Sequence, residues 1–115
     1  MEVMAKREYL GQLELMVLLA VARPSSDKAY GVSIARDIAG ISGRRVALAS
    51  VYAALERLEK KGLLVSSLGE PTVERGGKAR TYFRTTVAGA REAQAIHVTL
   101  MRLGRGLPAP NGEPA

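Results

Sequence analysis

Apolar residues recur at spacings of three and four along most of this 115-residue chain, and the breaks between those runs divide it into elements. Residues 10–22, LGQLELMVLLAVA, form a helical pattern with Leu10, Leu13, Val17 and Ala20 on one side. A second apolar set, Leu15, Leu18, Leu19 and Ala22, lies round the back, so this helix must be covered on more than one side. Pro24 and the Ser25-Ser26-Asp27 cluster end it. A second helix is expected from Tyr30 to Ala39, with Val32, Ile34, Ala35, Ile38 and then Ile41 as its apolar set and Gly40 to Gly43 as its stop. The strongest pattern follows at Leu48 to Lys61, where Leu48, Val51, Leu55 and Leu58 recur at spacings of 3, 4 and 3. Gly62 is the expected left-handed residue after that helix, and Leu63 its capping hydrophobic contact.

Two strands are then expected, Leu63 to Ser67 and Arg80 to Thr85, separated by the Gly- and Pro-bearing loop Gly69 to Ala79. Thr86 is placed to cap a last helix carrying Ala93, Ile96, Leu100 and Leu103. From Gly104 onward three Pro and three Gly in twelve residues predict a tail without structure of its own. The expected fold is therefore mainly α with a small β-hairpin wing: a winged helix-turn-helix over residues 1–86, a dimerisation helix over 87–104 and a disordered tail over 105–115. The order helix, helix, helix, hairpin, helix has one helix more than a monomeric core of this kind needs. Leu10, Leu13 and Val17 on the first helix and Ala93, Ile96, Leu100 and Leu103 on the last are the expected dimer contacts; the alternative is that the last helix folds back on its own domain. Burying about 500 Å² of apolar surface per chain there would contribute on the order of 10 kcal/mol before entropy costs, and a symmetric pair is the simplest cover.

Charge changes the picture from fold to partner. Seventeen Lys and Arg oppose eleven Asp and Glu, a net +6, and twelve of the seventeen are Arg. That balance on one small domain points to a polyanion such as DNA, RNA or a ribosome, or to an anionic membrane face. No Cys is present, which removes disulfides, thiolate nucleophiles and Cys-based zinc sites and fits a reducing cytoplasm. The start, MEVMAKRE, is charged, and the apolar stretch to Ala22 is too short and too interrupted to span a bilayer. The expectation is a soluble cytoplasmic protein.

The third helix carries the candidate reading face. Opposite its apolar stripe lie Ala49, Ala53 and Lys60, with Ser50 and Arg57 beside them and Tyr52 on the other flank. Small side chains at the N-terminal end admit close approach to a groove floor, and N-terminal residues of such a helix reach base edges. Ser50 and Arg57 are the candidates for hydrogen bonds to bases, Tyr52 for a phosphate; the bland alternative is a solvated helix face. In the hairpin, Arg75, Lys78, Arg80 and Arg84 fall within ten residues that hold no acid. Two glycines would let the tip lie against a sugar–phosphate backbone or in a minor groove, where Arg is favoured; the alternative is a basic surface loop. Ala79 follows Gly77-Lys78, so the loop is not a nucleotide-binding P-loop. His97 is the only histidine, with no acid nearer in sequence than Glu92, and the carboxylates are scattered. The residues thus offer no metal ligand set, no cofactor motif and no basis for expecting an enzyme.

Four pieces of sequence together carry a family likeness: Tyr30-Gly31; Val51 to Glu59 (VYAALERLE); Gly62-Leu63; and Tyr82-Phe83 followed by Thr86-x-x-Gly89. Over roughly residues 9 to 104 the chain resembles the PadR family of bacterial transcriptional regulators. The resemblance implies a winged-helix homodimer that usually represses transcription and dimerises through its C-terminal helix against the partner's first helix. By that likeness Ser50, Tyr52 and Arg57 take DNA-facing positions and the wing basics take backbone contacts. Ala47 departs from the family, in which Ser or Thr commonly caps the recognition helix. The chain also lacks Trp, whereas some relatives hold planar drugs between Trp rings, so a small-molecule effector is left undefined. The expected function is a sequence-specific regulator binding a pseudo-palindromic duplex as a homodimer. The alternative is a winged-helix protein-interaction or ribosome-associated module without sequence-specific DNA binding.

Overall fold

A computed structural model describes residues 10–24, 28–71, 76 and 79–112. Seven elements follow in order: α1 (Gln12–Ala22), β1 (Ala29–Tyr30), α2 (Gly31–Ser42), α3 (Leu48–Lys60), β2 (Leu64–Leu68), β3 (Thr81–Thr85) and α4 (Val87–Gly104). The four helices and both wing strands lie where the pattern places them, to within three residues at every end. The two-residue strand β1 is additional. It pairs antiparallel with β3 (Ala29 opposite Phe83, Tyr30 opposite Tyr82) and makes the wing a three-stranded sheet of order β1-β3-β2. Leu64 to Leu68 pair in register with Thr85 to Thr81 on the other side of β3.

The core is aliphatic. Val17, Leu18, Ile34, Val51, Leu55, Leu58 and Leu64 are fully enclosed. α1 runs through the middle, touching α2, α3, α4 and β3, which answers its two-sided hydrophobicity within one chain. The last helix is therefore not wholly surplus: Ala93 is buried, and Ile96 packs against the same core. Leu100 and Leu103, farther along α4, are exposed. Of the large apolar side chains of α2, Ile34 and Ile38 are enclosed, whereas Val32 and Ile41 face outward. A helix touching the core along one edge buries a narrower stripe than its apolar composition suggests.

Three local devices fix the geometry around α3. At its end the Gly62 N–H donates to the Glu59 carbonyl and the Leu63 N–H to the Leu58 carbonyl, each at 3.0 Å, with Gly62 at φ 77°. This double closure is the Schellman motif, and it turns the chain sharply into β2. The Thr86 hydroxyl then accepts from the Gly89 N–H at 2.9 Å and donates to the Gly62 carbonyl at 2.7 Å. Gly89 itself lies so close to the Leu63 carbonyl that no side chain fits there. The Thr-x-x-Gly signature is thus a cap and a close approach combined, joining the start of α4 to the end of α3.

Candidate nucleic-acid interface

The face of α3 opposite Val51, Ala54, Leu55 and Leu58 runs Ala49, Ala53, Glu56, Lys60 at about 100° per residue. Ala49, Ser50, Glu56 and Lys60 are exposed and Ala53 is half-buried. No side chain caps the helix at Ala47, so its N-terminal amides, which carry the positive end of the helix dipole, have no side-chain acceptor. Just before it, the Ser42 hydroxyl accepts from the Arg44 N–H at 3.1 Å and shapes the turn. Arg44 and Arg45 are exposed in that turn, beside the open end of α3. Neither is among the cations that the third helix and the wing predict; their signal in the sequence is a doublet shortly before a helix that opens with small residues.

Tyr52 sits on the flank, about half exposed, with its phenol edge against Gly31 at the start of α2. A Cβ at position 31 would lie 2.5 Å from the ring, which explains the glycine in Tyr30-Gly31. Tyr52 thus locks α2 to α3 while keeping part of its ring in solvent.

Arg57 is turned elsewhere. Its Nε donates to Glu14 Oε2 on α1 at 2.7 Å, and Lys61 Nζ donates to Glu14 Oε1 at 2.8 Å. Glu14 is the buried acid among the described residues. The Lys61 hydrogen bond holds its carboxyl below the ordinary 4.5, ahead of the opposing effect of burial, with Arg57 adding to the depression. Arg57 is therefore committed to fastening α3 onto α1, although half of its side chain remains open to solvent.

The wing is basic at its root. The Arg80 guanidinium stacks over the Tyr30 ring, 4.0 Å from its centroid, and Lys28 lies 5.5 Å from the centroid of Tyr82. The two tyrosines meet edge to face at 5.9 Å. Cation–π contacts of this kind hold both cations in defined places. Arg84 is exposed on β3, while Arg75 and Lys78 lie outside the described residues.

The residues expected at a dimer contact divide. Val17 and Ala93 are used by the chain's own core; Leu10, Leu13 and Ile96 are half-buried against it; Leu100 and Leu103 are open. Beside them an open groove of about 820 Å³ lies between α1, α2 and α4, lined by Met16, Leu19, Ile38, Ile41, Ala93 and His97 among others. No helix among the described residues is long and apolar enough to cross a membrane.

The model of the transcriptional regulator PadR-like family matches residues 18–95. A PadR family transcriptional regulator from Eggerthella lenta is 29% identical, with 77% of this chain and 72% of that one aligned at a TM-score of 0.61. The Streptococcus mutans protein smu.1704 is 23% identical over 87% and 89% of the two chains, at a TM-score of 0.66. Bacillus subtilis PadR, solved with operator DNA, is 16% identical at a TM-score of 0.61, covering 86% of this chain but 50% of its own; it shares the fold. No curated protein matches the sequence.

Proposed function

The chain belongs to the PadR-like family of transcriptional regulators and is a DNA-binding regulator of the winged-helix class; we propose that it works in the cytoplasm as a homodimeric repressor of a pseudo-palindromic operator. The observation that carries the reading is the open end of α3. There Ala49, Ser50 and Ala53 surround an uncapped helix N-terminus, with Arg44 and Arg45 alongside. In this reading small side chains let the helix enter the major groove, Ser50 meets a base edge, and Tyr52 and the two arginines hold phosphates. Arg80 and Lys28 at the wing root, together with Arg75 and Lys78 in the loop, supply backbone contacts that carry little sequence information. The chain performs no catalysis in this role.

The homodimer is supported by the exposed half of α4. Leu100, Met101 and Leu103 are 47–72% exposed, beside the groove between α1, α2 and α4. A second copy's α4, residues 87–104, would cover both and set two reading helices about 34 Å apart, one turn of duplex.

The test is binding of the purified protein to the duplex upstream of its own gene against a scrambled duplex of equal length, at about 0.15 M salt. A preference of about a thousandfold or more, with a two-chain mass in solution, is the expected result. Equal, weak and steeply salt-dependent binding to both duplexes, or a single-chain mass, would count against the proposal.

A further inference from the structure

Glu56 occupies an unusual place. It stands on the face of α3 that carries Ala49 and Ala53, about 10 Å along the axis from Ala49, and it is exposed. The neighbouring Arg57 is drawn to Glu14 on α1, and among the described residues no cation pairs with Glu56. A chain of net +6 therefore presents an exposed carboxylate on its proposed groove-facing side. Against DNA such a group costs affinity through phosphate repulsion unless it accepts a hydrogen bond there.

The chemistry of the groove narrows what it can accept. The major-groove edges of the bases offer two donors, the N4 amino group of cytosine and the N6 amino group of adenine. Guanine shows acceptors only, and thymine an acceptor and a methyl group. Adenine N6 lies beside N7, whose lone pair faces the second oxygen of a carboxylate. Cytosine N4 lies beside a C–H, with no opposing acceptor. A carboxylate on this face therefore selects cytosine over the other three bases. Ala53 and Ala49, about one and two turns earlier on the same strip, keep the helix surface low enough for a side chain of this length to reach the base edge.

We propose that Glu56 is a specificity-determining residue, accepting a hydrogen bond from cytosine N4 at one position of each half-site and so demanding a C·G pair there. This deepens the DNA-regulator reading and rests on it.

The test is selection from a randomised duplex pool, using the full chain as wild type, Glu56→Gln and Glu56→Ala, with melting temperature as a check on folding. Position 56 is exposed, so both variants are expected to melt with the wild type. Wild type should enrich cytosine at one position per half-site by about tenfold or more. Glu56→Gln should exchange that preference for adenine, because a carboxamide matches adenine N6 and N7 bidentately. Glu56→Ala should lose the preference at that position alone, by binding sequences without cytosine there more tightly than wild type does. If wild type selects a defined site and both variants select the same site with the same base weights, the assignment of Glu56 is wrong. If wild type selects no site at all, the DNA-regulator reading fails and takes this inference with it.

Discussion

The two ends of α3 are built on opposite plans. The C-terminal end is held from three directions: Leu58 is fully enclosed, Gly62 and Leu63 close the backbone, and Arg57 and Lys61 grip Glu14 on α1. The N-terminal end has small exposed residues, no side-chain cap and two arginines in the preceding turn. A helix fastened at one end can present the other without moving. Stability is thereby concentrated in the buried side and the fastened end of the helix and recognition in its open face, and substitutions of the two kinds should separate into two phenotypes.

The largest effect is expected at the fastened end. Leu58→Ala should cost about 2–5 kcal/mol of folding stability, seen as a lower melting temperature, with DNA binding falling only as the folded fraction falls. At the open end Ser50→Glu should leave melting unchanged and weaken specific binding by at least tenfold in a titration, through repulsion from the phosphates. Equal loss of stability from both substitutions would erase the contrast.

Glu14→Gln tests the ionic part of the fastening. Its two cations are partly solvated, so the expected cost is about 1–2 kcal/mol near neutral pH. Because the Glu14 carboxyl titrates below its ordinary 4.5, its contribution is complete above that value and disappears as pH falls through the lower, folded-state value. Acid unfolding curves of wild type and Glu14→Gln should therefore converge at low pH and diverge above about pH 5. Parallel curves would remove Glu14 from the acid limb. The smallest effect is expected from Arg44→Ala: a loss of one phosphate contact, lowering the slope of log affinity against log salt by about 0.9 with little change in base preference.

Much of this plan was readable in the sequence, for a physical reason. The stripe Val51, Leu55, Leu58, the stop at Gly62 and the cap at Thr86 are encoded by neighbours within four residues, and the structure uses each of them. What escaped were contacts between distant segments. β1 is two residues long, too short to show alternation, and exists by pairing with β3 more than fifty residues away. Glu14 looked like an interruption in an apolar run, yet it is buried because Arg57 and Lys61, 43 and 47 residues later, come back to meet it. That meeting also ties Arg57 to α1, since periodicity fixes the angle of a side chain on its helix but not the neighbour it finds. The cover of α4 stayed open between two alternatives for the same reason: a stripe of Ala93 and Ile96 does not say whether its cover is the same chain or another copy.

The junction at Thr86 and Gly89 works like a key in a slot. Because only a bare Cα fits against the Leu63 carbonyl, the angular phase of all eighteen residues of α4 is fixed at its first turn. One residue inserted before Thr86 could be absorbed by the strand. The same insertion just after Gly89 would rotate everything beyond it by about 100°, swinging Ala93 and Ile96 off α1. The later leucines would turn with them, so one carbonyl at the root of the wing determines the direction in which the far end of the molecule faces.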